Sequence, residues 1–339
     1  MNKASFMYSG PIIDTHMHLW DLANGYAWLN GPDPNFERLI GNYDALRRNF
    51  LASDYAALTR GHNILKSVHI QAFGFPENPV GETAWLQEQA DHYDYPHGIV
   101  AFANLSDPNV EDTLRKHRAY RNVRAIRVPL NYDQAVWRRM ADRGDYMRDA
   151  HWRRGFALLS RYNLSFDVQI YDHRAADAAN LARAFPETTL IIEHLGWPIE
   201  IETAVGFEHW AERLMMLAEC PNAFLKVSGV ACVFRRADPD LIRQYLRRAV
   251  TIFGPQRCPF GSNCPPDTLF YDFSVLLGVY TDAFSDLTPE AQHALFFDNA
   301  QRVYRLCLHC ASRELVGCTI VTRSRACKLA AIGERGNDV

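Results

Sequence analysis

The 339-residue chain lacks any apolar run long enough to cross a membrane. Its first residues, Met1 to Met7, pass into Tyr8-Ser9-Gly10 with no apolar stretch of signal-peptide length, so a soluble, cytoplasmic protein is expected. An excess of one charge is lacking too. The 36 Lys and Arg against 39 Asp and Glu leave a formal net charge of −3, which removes the electrostatic reason to expect nucleic acid or an anionic membrane as partner. No strand-like run is followed by a glycine-rich phosphate turn. No cysteine precedes Cys220, and a chain of this length needs no staples, so the eight cysteines read as reduced thiols. What these absences leave is a small-molecule partner, with room for a homo-oligomer.

What is present is a globular composition, 48% hydrophobic and 22% charged, in a chain long enough for a large core. Short β-branched or apolar runs alternate with segments of helical period. The runs fall at 11–16, 65–71, 98–104, 123–129, 164–170, 189–194, 224–229 and 257–262. Helices are expected between them at 81–92, 108–120, 174–185 and 239–253, the second and last opening on Asp107-Pro108 and Asp238-Pro239. Eight β-then-α units fit an α/β fold of the (β/α)8 TIM-barrel type better than an open doubly wound sheet. One domain over about 10–308 is expected, with a partly disordered tail over 309–339. Residues 21–64, rich in Asn, Gly, Pro and aromatics such as Trp28, Tyr43 and Tyr55, form a long first connection expected to cover the barrel mouth. Cys307-x2-Cys310, with Cys318 and Cys327 beyond it, has part of the spacing of a small zinc site but lacks a close second pair.

The polar residues gather at the C-terminal ends of the strand candidates, where barrels of this kind carry their active sites. The first run ends in His16-Met17-His18, and residues two apart on a strand share a side, so both imidazoles can converge on one metal or substrate. The other ends carry His69 and Gln71, Asn104, Arg127, Asp167 and Gln169, His194, Lys226 and Ser228, and Asn263. Imidazoles suit zinc or proton transfer near neutral pH. Arg127 and Lys226 suggest an anionic substrate or an oxyanion to be stabilised, with an internal ion pair to Asp167 or Glu193 as the structural alternative.

Four blocks carry a resemblance: Ile13-Asp14-Thr15-His16-Met17-His18-Leu19-Trp20-Asp21, Glu193-His194-Leu195-Gly196-Trp197-Pro198, Phe260-Gly261-Ser262-Asn263-Cys264-Pro265 and Asn299-Ala300-Gln301-Arg302-Val303-Tyr304. In order and spacing, up to about Leu306, they resemble the amidohydrolase-2 family of metal-dependent hydrolases, and within it the branch of L-fuconolactonases and 2-pyrone-4,6-dicarboxylate lactonases. The resemblance implies a distorted, amidohydrolase-like (β/α)8 barrel that hydrolyses a cyclic ester. It implies His16 and His18 as metal ligands, His194 as a metal- or substrate-binding catalytic residue, and position 263 as the acid that activates water. The chain departs from that pattern at Asn263, where an aspartate is usual, and at Gln169, where many relatives have histidine. Neutral amides are poor zinc ligands, and Asn263 cannot take a proton as a general base, so a divalent metal such as zinc or manganese is expected to be weakly held or absent.

The leading expectation is a carbon-ester hydrolase opening a sugar-acid or aromatic-degradation lactone, with His194 and Asn263 at the reacting centre, His16 and His18 on any metal, and Arg127, Lys226, His69 and Gln169 on the substrate. The alternatives are a non-catalytic barrel that binds a small anion and a decarboxylase of the same family.

Overall fold

The structure, a computed structural model, describes residues 8–75 and 77–306. Seven parallel strands lie side by side in chain order: β1 (Ile12–Met17), β2 (Ile64–Ile70), β3 (Gly98–Ala101), β4 (Val123–Pro129), β5 (Ser165–Gln169), β6 (Leu190–Ile192) and β7 (Ala223–Leu225). Parallel neighbours need a crossover after each strand, and helices such as Pro79–Tyr93, Val110–Arg118, Ala150–Arg161, Ala175–Ala184, Ala204–Ala218 and Pro239–Phe253 supply it. Their starts follow from local chemistry. Asp238 accepts a hydrogen bond from the Leu241 amide at 3.1 Å, and Pro239, which has no N–H to satisfy, opens the helix.

The run expected as an eighth strand is not one. Pro259 removes an amide donor that a strand would use, and just beyond the run Asn263 sits at φ 55°. The segment still joins both edges of the curled sheet. Val227 donates to Pro259 O at 3.0 Å and Gly261 to Val227 O at 3.1 Å, while Thr15 donates to Phe260 O at 3.1 Å and Asn263 to His16 O at 2.7 Å.

The sheet separates two apolar clusters. Phe166, Val168, Leu190 and Ile192 join the larger one, where Trp152 and Phe156 of helix Ala150–Arg161 pack on Phe166 with ring centroids 5.8 and 5.0 Å away. The smaller cluster holds Ile13, Val68, Ile70, Val100, Ala125 and Ile191 together with Ala300, Val303 and Tyr304 of the last helix, Asn299–Tyr304. Along β5 the alternate face steps from this plug to the site. Ser165 Oγ donates to Val303 O at 3.1 Å, Asp167 meets the Tyr304 hydroxyl at 2.7 Å, and Gln169 reaches the opposite end. The plugged end is thus apolar and the C-terminal end of the sheet polar.

Residues 21–64 do reach the mouth. Helix Pro34–Ile40, capped by Asp33, brings Phe36 against Trp28 and Tyr43 at 5.1 Å each. Tyr55, also expected there, is instead buried below, donating its hydroxyl to Asp14 at 2.9 Å. The tail over 309–339 and the Cys307, Cys310, Cys318 and Cys327 spacing lie outside the described residues.

Candidate active site

Three buried side chains converge where β1 and β6 end. Donor atoms of His16, Glu193 and His194 lie within 4.8 Å of one another, and His16 Nδ1 is 3.6 Å from Glu193 Oε1. Among the described residues neither ring nitrogen of His16 has a hydrogen-bond partner, and Glu193 Oε1 has none either. Buried polar atoms are normally paired, so the unpartnered His16 Nδ1 beside the unpartnered Glu193 Oε1 suits a cation between them. Two imidazoles and a carboxylate also form a donor set that suits zinc. The residues fit a divalent metal.

His18 lies beside that set of three rather than within it. A register shift between Asp14 and Met17 breaks the two-residue alternation of β1. His16 and His18 are neighbours edge to face, 5.0 Å between ring centroids, but His18 Nδ1 bonds Ile70 O at 2.7 Å. A carbonyl only accepts, so Nδ1 carries the proton and the lone pair of His18 is on Nε2. His69 is likewise committed through Nε2 to Leu19 O at 3.1 Å, and it lies off the cavity wall.

Burial sets the protonation of these rings. It holds His16, His18 and His194 well below the usual histidine value, with neighbouring cations pushing the same way, and takes His69 down to about 3. At neutral pH all four are uncharged and able to act as ligands or acceptors.

Strand β6 stops at Ile192 rather than 194 because the next residues turn sharply. His194, Leu195, Gly196 and Trp197 have φ of 52°, 58°, 69° and 42°. Each non-glycine residue there costs on the order of 1–2 kcal/mol, and the turn leaves His194 and Trp197 on the cavity wall. Ser228 Oγ holds His194 Nδ1 at 3.0 Å. Gly229, at φ 66°, is needed next to it, since a Cβ there would lie 2.1 Å from His194 Nδ1.

The two expected substrate cations are ion-paired within the protein. Arg127 Nε donates to Glu193 Oε2 at 3.0 Å, Nη2 bonds Gln169 Oε1, and Nη1 reaches Gln71 O at 3.5 Å. Lys226 is fully buried, donates to Asp167 Oδ1 at 2.5 Å, lies 3.9 Å from Glu193 Oε1, and is off the cavity wall. Burial raises the Asp167 carboxyl, with Lys226 opposing. Asn263 Nδ2 donates to Asp267 Oδ1 at 2.8 Å, which fixes Oδ1 of Asn263 as the acceptor it can offer. Asp267 also caps the chain at Ala231 and Cys232, and burial raises it to about 6. Asn104 only closes its own turn onto Ser106.

The mouth opens into a cavity of about 560 Å³. Arg127, Gln169, His18, His194 and Asn263 line its polar end, and Trp28, Phe36, Phe73, Trp137, Met140 and Trp197 the rest. The loop over 130–149 supplies Trp137, Arg139 and Met140. Sequence reading missed these three because they sit in an irregular segment. The Trp137-Arg138-Arg139 cluster was the one available signal.

With the geometry in place, comparison with known proteins gives a consistent relationship. The amidohydrolase family model matches residues 13–306. An uncharacterised protein of Sinorhizobium fredii is 35% identical over 297 residues, 87% of this chain and 98% of its own. An L-fucono-1,5-lactonase of Burkholderia multivorans is 26% identical over 305 residues, 87% of this chain and 96% of its own. A zinc-bound amidohydrolase crystal structure, also from Burkholderia multivorans, shares the fold with a TM-score of 0.73 at 24% identity, over 88% of this chain and all of that one.

Proposed function

The chain belongs to the amidohydrolase-2 family, and from that premise we propose that it is a metal-assisted hydrolase that opens the ring of an anionic lactone. The reading takes residues 10–308 as one distorted (β/α)8 barrel, with 259–264 standing in the place of the eighth strand. The observation that carries it is the convergence of His16, Glu193 and His194, with unpartnered buried donor atoms on His16 and Glu193, and with His194 itself on the cavity wall. Lactonases of the same family, and a relative that binds zinc, support the choice of reaction and of ion.

A divalent ion on those three residues would supply Lewis acidity and lower the pKa of bound water. The chain's own groups do the rest. Burial keeps His16 and His194 neutral, so their lone pairs are available. Arg127 grips Glu193 Oε2 and leaves Oε1 toward His16, so it acts as a positioning residue. His18 Nε2 and Asn263 Oδ1 are the acceptors at the wall that can orient water or a substrate hydroxyl. The aromatic residues of the first connection exclude bulk water, which strengthens each of these polar contacts.

The test is turnover by purified protein of a panel of sugar-acid and pyrone-type lactones, with added zinc or manganese and after chelation. Ring opening that disappears with chelator and returns with metal is expected. No turnover of any lactone under every metal condition would sink the proposal and favour a barrel that only binds an anion.

A further inference from the structure

We propose that Arg139 is the substrate's anion anchor, and that the lactone it selects carries an apolar arm ending in a carboxylate. The substrate half of this inference rests on the hydrolase reading above.

The other cations of the site are already engaged. All three nitrogens of Arg127 have internal partners, and Lys226 is sealed behind the wall with Asp167. Arg139 differs. It lines the cavity and is half-buried, and its two hydrogen bonds go to neutral carbonyls, Nε to Asp133 O at 2.8 Å and Nη2 to Gln134 O at 3.1 Å. Its guanidinium lies over the Tyr132 ring, 4.6 Å from the centroid. These contacts fix the plane of the group and leave Nη1 without a partner among the described residues.

The surrounding loop sharpens the contrast. Arg138 pairs with Asp133 at 3.5 Å, Arg143 with Asp145 and Asp149 at 3.3 Å each, and Arg148 with Asp177 at 3.4 Å. Of the four arginines over 130–149, Arg139 alone has no carboxylate within ion-pair distance among the described residues. It is also the one that faces the cavity. Among the described residues the single carboxylate on the wall, Asp33, is occupied in capping helix Pro34–Ile40, accepting from Asn35 and Phe36 at 2.9 and 3.2 Å. A planar guanidinium held by its own loop and left without a counter-ion is built to receive a carboxylate.

The cavity says what joins that carboxylate to the reacting ring. About 560 Å³ falls in the range of roughly 300–1,000 Å³ that encloses drug-sized ligands, and one six-membered lactone fills a small part of it. Beyond the polar end the walls are Trp28, Phe36, Trp137, Met140 and Trp197, which offer ring faces and a thioether rather than the many donors and acceptors a polyol needs. An apolar or aromatic arm suits them.

Calorimetric titration of the full-length protein with 4-phenylbutyrate, and with the uncharged 4-phenylbutanol, tests the anchor without requiring turnover. The acid is expected to bind at least tenfold more tightly than the alcohol. Arg139→Gln should abolish that preference, Arg139→Lys should keep part of it, and Arg138→Gln, one residue away but paired to Asp133, should leave it intact. Melting curves close to wild type for each variant establish that they fold. Equal binding of acid and alcohol by the wild type, no binding of the acid, or an unchanged preference in Arg139→Gln would overturn the assignment. Discrimination that survives while every lactone resists hydrolysis would defeat the hydrolase reading and leave Arg139 as the anion anchor.

Discussion

Replacing Glu193 by glutamine removes one charge from the most buried ion cluster of the protein. The carboxylate is 0% exposed and stands 3.0 Å from Arg127, 3.6 Å from His16 and 3.9 Å from Lys226. At 3.0 Å and an effective dielectric of about 20, its attraction to Arg127 is about 5 kcal/mol before desolvation is counted. Removing one partner of such a pair typically costs about 3–5 kcal/mol, because the other charge stays buried and uncompensated. Glutamine keeps an oxygen for Arg127 Nε, so the lower end, about 3 kcal/mol, is expected. For a domain of this size that is a fall in Tm of about 5 °C by scanning calorimetry. The double variant Glu193→Leu/Arg127→Met removes both charges and should recover much of the loss. A single variant as stable as wild type, or a double variant no better than Glu193→Gln, would refute the reasoning.

His16→Leu should separate stability from function. Neither ring nitrogen is hydrogen-bonded, so stability should change by no more than about 1 kcal/mol in denaturant melts, while lactone turnover and zinc uptake fall at least a hundredfold. Asn263→Asp, which restores the family's usual acid, places a second carboxyl against Asp267, 2.8 Å from the present amide nitrogen. Repulsion should raise one of the two pKa values and lower stability at pH 7 by about 1–3 kcal/mol, and Asp267→Asn in the same chain should relieve it, as comparison of melts at pH 5 and 8 will show. Glu82 is buried, accepts from the Ala72 and Gly74 amides, and burial raises it from its ordinary 4.5 to about 7. Between those values the folded state holds a proton that the unfolded chain has lost, so stability falls as pH rises through that window, by up to about 3 kcal/mol. Glu82→Gln should flatten that part of the pH–stability curve, and an unchanged slope would contradict the assignment.

The alternation of apolar runs and helical segments was enough to locate all seven strands and to set the helix 239–253 at its observed bounds. The eighth run reads as a strand because hydrophobicity marks burial and not hydrogen bonding, although Pro259 within it argues against one. His16 and His194, singled out by motif and position, lie side by side in the folded chain, 4.5 Å between ring centroids. The break in strand register between Asp14 and Met17, beside which His16 and His18 stand, cannot be read from spacing. Arg127 and Lys226 advertised an anionic substrate by charge alone. The structural alternative, an ion pair to Asp167 or Glu193, is legible in the sequence, but with partners 66 and 59 residues away only the folded chain shows that both pairs form. Arg139 was missed for the converse reason: in a loop dense with arginine and aspartate, nothing in the sequence says which arginine goes unpaired.

The central claim is that His16, Glu193 and His194 together hold a divalent ion needed for hydrolysis. Metal analysis of protein loaded with zinc and passed through a desalting column, run beside His194→Ala, tests it most directly. The account predicts about one zinc per wild-type chain, little in the variant, and lactone hydrolysis that tracks the zinc content. Equal zinc in both proteins, or full hydrolysis by metal-free wild type, would contradict it.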